Sequence, residues 1–144
     1  MKNKFILLGV SIIMIVAFLC GCQEEAVKTQ DQFKNITLES TVVELVNGSL
    51  VFHTKQDFTD DFEPIEIVDQ VNVQYRLHNI AKRAINVTVT LEFYDGNDAL
   101  IASIDGPTIN NFLNDYTERL PNAVSYNGAK VAEVDHVKII VLEA

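Results

Sequence analysis

The strongest constraint on the fold is a strict alternation of apolar and polar residues in the middle of the chain. In the segment VNVQYRL, four side chains of one face are apolar: Val71, Val73, Tyr75 and Leu77. The segment INVTVTLEFYD repeats the pattern with Ile85, Val87, Val89, Leu91 and Phe93. A period of two that is rich in β-branched residues predicts strands with one buried face. The apolar face of the resulting sheet must then be covered by another layer.

Turn signals between the other apolar runs predict about seven strands and no long helix. The segment ITLESTVVELV, residues 36–46, changes phase midway, which predicts a bulge or a bend. The sequence NGS at residues 47–49 predicts a tight hairpin turn. The sequence DGND predicts a second turn, in which Asp95 caps the turn and Gly96 has a positive φ.

Two further segments complete the pattern. The last one, DHVKIIVLEA, predicts a strand that is covered on both faces, because Ile140 and Leu142 lie opposite the other apolar residues. Residues 108–130 leave two alternatives open, a strand near residues 115–120 with a loop or a short helix near residues 110–114. Together the segments predict an all-β fold, an antiparallel immunoglobulin-like β-sandwich over residues 35–144.

The first 21 residues have the layout of a secretory signal peptide. Lys2 and Lys4 precede an uncharged apolar run of sixteen residues, 5–20. Such a run enters the membrane while the lysines stay on the cytoplasmic side. The run is shorter than the roughly twenty residues that a permanent membrane-spanning helix needs. We therefore predict a signal helix over residues 1–21 that is cleaved off.

The end of this run, LCGC, resembles the lipobox of bacterial lipoproteins. In that family a diacylglycerol is attached to the last cysteine, and a peptidase then cuts before it. The resemblance implies that Leu19 and Gly21 belong to the cleavage signal and that Cys22 is the lipidated first residue of the mature protein. Cys20 occupies a variable position of the motif, and the bulky Leu19 before it disfavours cleavage there. An uncleaved anchor and ordinary secretion are the alternatives.

The lipid anchor implies a location on the membrane. Residues 22–34 are mostly polar and predict a flexible tether, with a short helix as the alternative. The domain would then sit at the extracytoplasmic face of the cell membrane. In a bacterium with two membranes, Gln23 after the cysteine would favour the outer membrane.

A second resemblance lies in YRLHNIAKRAINVTVTLEFYDGNDALIAS, which is similar to the FxLYD-type domain of bacterial surface lipoproteins. The matching positions are Asn79, Ala84, Val87, Val89, Tyr94, Asp95 and Gly96. In the name motif, Leu91 and Phe93 have exchanged the aromatic and aliphatic types. The resemblance covers roughly residues 71–104. It implies an immunoglobulin-like sandwich at the cell surface and brings no catalytic residues to transfer to this chain.

The charge of the chain excludes some partners. The formal net charge is −9, and loss of residues 1–21 would remove two lysines and bring it to −11. A domain this acidic repels phosphate backbones, so we predict no nucleic-acid partner. No P-loop, dinucleotide glycine run or GxSxG motif is present in the sequence. We predict that the protein is not an enzyme and has no cofactor.

Two weaker chemical patterns remain. The three histidines, His53, His78 and His136, lack the spacing of a zinc site. An acid–base set can be drawn from Glu92, Tyr116 and Glu118, but nothing in their spacing requires it.

The stretch QDFTDDFEPIE, residues 56–66, is both acidic and aromatic. Its carboxylates are weak calcium candidates, namely Asp57, Asp60, Asp61 and Glu63. The stretch lacks the spacing of an EF-hand, so a solvated loop is the preferred prediction. Phe58 and Phe62 are unusual there, and either cap the open end of the sandwich or form an exposed patch for a partner.

The functional hypothesis is a membrane-anchored extracytoplasmic lipoprotein that acts as a non-enzymatic binding or interaction module of the cell envelope. Its partners would be the membrane, through the lipid anchor, and an envelope protein. The alternative is a lipoprotein that binds a metal or a small ligand through the acidic loop at residues 57–66. A hydrolase of the envelope is the third hypothesis.

Overall fold

A computed structural model describes residues 34–144. The predicted signal peptide and nearly all of the tether, including Leu19, Gly21 and Cys22, lie outside the described residues. Those described form eight strands and one turn of 3-10 helix, Val131–Glu133. The strands are β1 (Ile36–Glu39), β2 (Val43–Phe58), β3 (Pro64–Asn79), β4 (Ile85–Tyr94), β5 (Leu100–Asp105), β6 (Ile109–Phe112), β7 (Asn122–Tyr126) and β8 (His136–Glu143).

The strands form two sheets, which confirms the predicted all-β sandwich. One sheet has the order β1-β8-β4-β5, and β6 also pairs with β4. The other sheet has the order β2-β3-β7. All pairs are antiparallel except β1 with β8, whose parallel pairing the sequence did not predict. Within residues 34–144, no helix has the length and apolar character needed to cross a bilayer.

The core lies between the two alternating segments. The nine predicted core residues of β3 and β4 are each at most 3% exposed: Val71, Val73, Tyr75, Leu77, Ile85, Val87, Val89, Leu91 and Phe93. Fully burying one such aliphatic side chain contributes roughly 1.5–3 kcal/mol. Period-two alternation therefore predicted the main contact surface correctly.

The predicted hairpin turn at residues 47–49 is wrong. These residues lie inside β2, where Gly48 pairs with Tyr75. A Cβ atom on Gly48 would lie 3.2 Å from the Ile36 side chain, so the glycine permits close packing of β1 on β2. The predicted phase change in residues 36–46 is confirmed. The chain leaves one sheet after β1, and β2 has an irregular register between Leu45 and Asn47.

Three further predictions need correction. Gly96 does not have a positive φ; Asp98 takes that conformation instead, with φ 62°. β8 is covered on one face only, because it lies inside a sheet whose outer side leaves Leu142 62% exposed. The short helix near residues 110–114 is wrong, because residues 109–112 pair with β4 as β6. Near residues 115–120, an isolated bridge joins Thr117 to His78.

Candidate functional site

The most unusual feature of the described chain is the end of the β2–β3 hairpin, residues 53–70, which we call the arm. β7 pairs with β3 only from Val71 to Tyr75. Beyond Val71, the sheets described for residues 34–144 contain no third strand beside the hairpin. Residues 53–58 and 60–66 are all exposed. The solvated loop predicted for residues 56–66 is confined to the turn at residues 59–63, because the residues on either side pair across the hairpin, as Asp57 does with Ile65.

A polar cluster holds the base of the arm. The Asn72 Oδ1 atom accepts hydrogen bonds from Gln70 Nε2 at 2.7 Å and from Ser125 Oγ at 2.6 Å. The Asn72 Nδ2 group lies 2.7 Å from His53 Nε2. Because a two-stranded hairpin is marginally stable in water by itself, such contacts with the sandwich help to keep the arm folded. They also show that His53 serves as a hydrogen-bonding partner of the arm's base.

The tip of the arm is a tight turn over residues 59–63. The Thr59 N–H donates to the Glu63 carbonyl and the Phe62 N–H donates to the Thr59 carbonyl, both at 2.9 Å. The Thr59 hydroxyl accepts a third bond, from the Glu63 N–H at 3.1 Å. This turn places Phe62 in the left-handed region, at φ 61°. That conformation costs an L-residue roughly 1–2 kcal/mol.

The tip presents an apolar surface to solvent. Phe62 is 85% exposed, Phe58 59% and Ile65 40%. Phe58 pairs with Pro64 across the hairpin, next to the turn. Of the two alternatives for the phenylalanines, the exposed patch is the one that the structure supports.

The same tip is strongly acidic. The arm contains six carboxylates and one lysine, Lys55. The carboxylates are Asp57, Asp60, Asp61, Glu63, Glu66 and Asp69. In the part of the chain that the structure describes, no salt bridge neutralises them. The arm therefore combines exposed aromatic rings with a concentrated negative charge.

The acidic residues do not form a metal site in this geometry. Among residues 34–144, no group of three or more histidine, cysteine, aspartate or glutamate side chains is arranged to hold a metal ion. The Asp57 carboxylate accepts a hydrogen bond from the next residue along the chain, the Phe58 N–H, at 2.8 Å. Calcium binding by Asp57, Asp60, Asp61 and Glu63 stays a prediction that no coordination geometry supports.

The three histidines occupy separate parts of the sandwich. His78 Nδ1 lies 2.8 Å from the Thr117 hydroxyl, and its Nε2 lies 3.3 Å from Asp115. His136 stacks on the Tyr94 ring with a centroid distance of 5.3 Å. His53 lies at the base of the arm. The structure does not bring them together.

Of the residues drawn as an acid–base set, Glu92 lies apart from the other two, Tyr116 and Glu118, which line one groove. Glu92 lies on β4 and accepts a hydrogen bond from the Tyr94 hydroxyl, which raises the pKa of that hydroxyl. Glu118 lies beside β3, where its Oε2 atom accepts bonds from the Leu77 N–H at 2.9 Å and from Asn122 Nδ2 at 2.7 Å. Tyr116 packs edge-on against a core phenylalanine. Glu118 therefore supports the sheet.

A shallow groove of about 460 Å³ lies at the other end of the sandwich from the arm. Its lining includes Ile109, Leu113, Tyr116, Arg119, Leu120 and Pro121. Glu118 also lines it, but its Oε2 is already hydrogen-bonded. The groove presents mainly apolar side chains and amides, and no carboxylate pair faces across it.

Sequence reasoning identified the phenylalanines and carboxylates of the tip but missed the arm itself. A local signal was present, since the apolar runs LVF and PIEIV flank a short polar segment. Such an arrangement is typical of a hairpin with a longer turn. What the pattern did not contain was the end of β7, which decides where the third strand stops.

Two solved structures are distantly similar to this chain, and neither similarity carries an argument about it. Neither a protein-family model nor a curated protein matches the chain. A DUF1425 family member from Shewanella sp. pv-4 is similar in structure, with 10% identity and a TM-score of 0.36 over 75% of this chain and 94% of that one. Cj0090 from Campylobacter jejuni is similar with 7% identity and a TM-score of 0.33, over 76% and 98% of the two chains. Function therefore has to be argued from the residues of this chain.

Proposed function

We propose that the protein is a membrane-anchored lipoprotein of the extracytoplasmic cell envelope that binds a protein partner through the tip of the arm and catalyses no reaction. The resemblance of LCGC to a lipobox, with Cys22 as the lipidated residue, supports the anchor. The resemblance to FxLYD-type domains supports a surface location. Each acyl chain would contribute about 0.8 kcal/mol per buried CH₂ group, so two or three chains hold a domain firmly.

Phe62 carries the binding part of the proposal. Burial does not explain a phenylalanine there, because the side chain is 85% exposed. Backbone preference does not explain it either, because bulky residues are rare in the left-handed region. Folding therefore provides no reason for an aromatic ring at this position. Exposed aromatic residues that become buried in a complex are typical anchors of protein interfaces.

The charge of the arm indicates the chemistry of the partner. Phe58 and Ile65 are further exposed apolar side chains next to the turn, on opposite faces of the ribbon because Phe58 pairs with Pro64 and Ile65 with Asp57. Asp60, Asp61 and Glu63 lie beside Phe62 in the turn, and the other three carboxylates lie along the arm. A complementary surface would have an apolar pocket with a lysine- and arginine-rich rim. Nucleic acids and anionic lipid headgroups carry the same sign as the arm and would be repelled.

Photo-cross-linking in intact cells tests this proposal. A photoreactive phenylalanine analogue replaces Phe62 in the full-length protein, and a matched control places it at Leu142, which is exposed on β8. We expect a discrete product from position 62 and none from position 142. The double variant Asp60→Lys and Asp61→Lys should reduce the product several-fold. Equal products from both positions, or insensitivity to the charge reversal, would contradict binding through the tip.

The anchor and the metal alternative have separate tests. Mass spectrometry of the native protein should find a diacylated N-terminal Cys22, and Cys22→Ala should remove the protein from the membrane fraction. Calcium should leave the melting temperature unchanged. A calcium-dependent rise that disappears in Asp60→Asn and Asp61→Asn would replace the proposed protein partner by a bound cation.

A further inference from the structure

We infer that the arm points toward the membrane, so that its tip binds the extracytoplasmic face of a membrane-embedded protein. This inference rests on the proposed lipid anchor at Cys22. It follows from where the described chain begins relative to the base of the arm.

A row of contacts connects the two sheets, and we call the end of the sandwich at which these contacts lie the root end. The Asn35 carbonyl accepts a hydrogen bond from the Val137 N–H at 2.8 Å, and Val137 pairs with Phe93. The Phe93 ring packs against Tyr126, with 5.3 Å between the centroids. In the second sheet, the row continues through paired residues, namely Tyr126 with Val71 and Val71 with Phe52. The arm begins at the next residue of each strand.

The strand directions show that the arm and the N-terminal segment leave through this same end. β3 runs from the root end to Asn79, where the Asn79 side chain donates to the Phe112 carbonyl at 2.7 Å. β1 runs parallel to β8, from the root end toward Glu143. The chain that precedes β1 therefore departs in the direction in which the arm projects. The groove described above lies at the opposite end.

The length of the arm is similar to the distance that the chain between Cys22 and Lys34 can span. Residues 64–70 rise about 3.3 Å each along a strand, so the arm extends roughly 20 Å beyond the sandwich. Eleven residues separate Cys22 from Lys34. If these residues form the flexible tether that the sequence predicts, their average end-to-end distance is about 20 Å and their maximum about 40 Å. On an anchored molecule, the tip would accordingly lie in the layer next to the lipid headgroups.

The charge of the tip favours a protein over the lipid as its binding partner. Insertion of Phe62 into the headgroup layer would carry Asp61 and Glu63, its neighbours in sequence, toward anionic phosphates. Carboxylates are unfavourable in that layer. A membrane protein with basic residues at its outer face would instead pair with them while its apolar surface covers the rings.

Energy transfer on vesicles tests the orientation. The full-length lipoprotein is incorporated into vesicles of the zwitterionic lipid phosphatidylcholine that carry acceptor dye on the headgroups. A donor dye is attached at Asp61→Cys on the tip or, as the matched control, at Asn114→Cys near the opposite end. We expect the higher transfer efficiency from position 61. The reverse order would overturn the inference, and quenching at position 61 by nitroxides on acyl chains would replace the protein partner by lipid insertion.

Release of the anchor tests the nature of the partner. A protease site is inserted between residues 28 and 29 of the variant that carries the photoreactive group at position 62. After cross-linking and cleavage, unreacted protein should leave the membrane fraction, whereas the cross-linked product should stay in it. A product that is released with the free protein would mean a soluble partner and would overturn the inference.

The outcomes separate this inference from the proposed function. If Cys22 is not acylated, the labelled variants remain in the soluble fraction, and the proposed anchor fails. If the protein enters the vesicles but transfer is stronger from position 114, the anchor stands and only the orientation is wrong.

Discussion

The sandwich contains the same five-residue turn twice, once at the tip of the arm and once between β4 and β5. In both turns the first residue donates its N–H to the carbonyl of the fifth: Thr59 to Glu63 at 2.9 Å, Asp95 to Ala99 at 3.0 Å. In both, a side-chain oxygen of the first residue accepts a bond from the N–H of the fifth. The fourth residue is left-handed in each, with φ 61° at Phe62 and 62° at Asp98.

The difference lies in which residue takes the left-handed position. Aspartate tolerates this conformation, because its short polar side chain clashes little and bonds locally. Phenylalanine has neither advantage, and its ring at position 62 is exposed. The turn between β4 and β5 thus shows what folding requires, and the arm carries an additional feature. This contrast is the physical basis for treating the tip as a binding site.

The largest effect on stability is expected at Asn79, a polar residue that the fold requires. Its loss is the reference against which the smaller effects in the two turns can be judged. Its Nδ2 donates to the carbonyls of Arg83, Phe112 and Leu113, and its Oδ1 accepts from the Ala81 N–H. The residue is 1% exposed. Asn79→Ala leaves these partners unpaired and should lower the free energy of unfolding by about 3 kcal/mol. Urea denaturation measures this, and a loss below about 1 kcal/mol would contradict the assignment.

A phenylalanine transferred into the second turn should cost stability. Asp98→Phe forces a bulky side chain into the left-handed region and should lower the free energy of unfolding by about 1–2 kcal/mol. Asp98→Asn is the matched control, because asparagine tolerates the conformation while the carboxylate that lies 3.3 Å from His136 Nε2 is removed. Since exposed polar contacts of this kind contribute little, the control should change stability by less than about 0.5 kcal/mol. Equal losses in both variants would show that charge, and not backbone strain, decides this position.

The reverse exchange should stabilise the arm. Phe62→Asn places a tolerant residue at φ 61° and should raise the free energy of unfolding by about 1 kcal/mol. Leu120→Asn, at a residue that is 79% exposed, is the control for loss of an exposed apolar group and should be neutral. Thermal and urea denaturation of both variants measure the difference. A clear loss of stability in Phe62→Asn would assign the ring a role in folding and weaken the comparison.

The smallest expected effect is a pH dependence that the turn between β4 and β5 has and the tip turn lacks. Hydrogen bonds from the backbone N–H groups of Ala99 and Asn97 hold the pKa of Asp95 below its usual value. A depressed pKa means that Asp95 stabilises the fold above its unfolded-state pKa, and this contribution disappears as pH falls through the folded-state value, below about pH 4. The tip turn uses the uncharged Thr59 hydroxyl in the same place. In an NMR titration, the Ala99 amide should shift with a midpoint below that of an ordinary aspartate, whereas the Glu63 amide should not follow it.

The sequence predicted the core well and the turns unevenly. Alternation of apolar and polar residues in β3 and β4 indicates which face is buried. Val71 and Phe93 could therefore be assigned to the interior from the sequence alone. The hairpin turn predicted at residues 47–49 was wrong, because the neighbouring residues do not distinguish a glycine that permits close packing on Ile36 from a glycine in a turn. The αL position of the β4–β5 turn was misplaced by two residues, because a side-chain acceptor on Asp95 moves the left-handed residue to Asp98.

The sequence predicted the residues of the candidate site but not their arrangement. The composition of residues 56–66 showed phenylalanines among carboxylates, and both a capping role and an exposed patch were open. Whether the rings of Phe58 and Phe62 are covered depends on which elements pack against them. The position at which β7 ends and the pairing of Phe58 with Pro64 decide this. These contacts join residues that are far apart in the chain or depend on a register, and composition contains neither.

By itself, the amino-acid sequence determined that this protein forms strands with one buried face, that its body is acidic, and that its first residues resemble a lipoprotein leader. These properties are local, since each depends on neighbouring residues or on a sum of charges. Only the tertiary structure decided that β3 extends beyond the end of β7, that Phe62 is left-handed and exposed, and that β1 starts at the end of the sandwich from which the arm projects. Those features follow from strand register and sheet order, which are set by packing between distant segments.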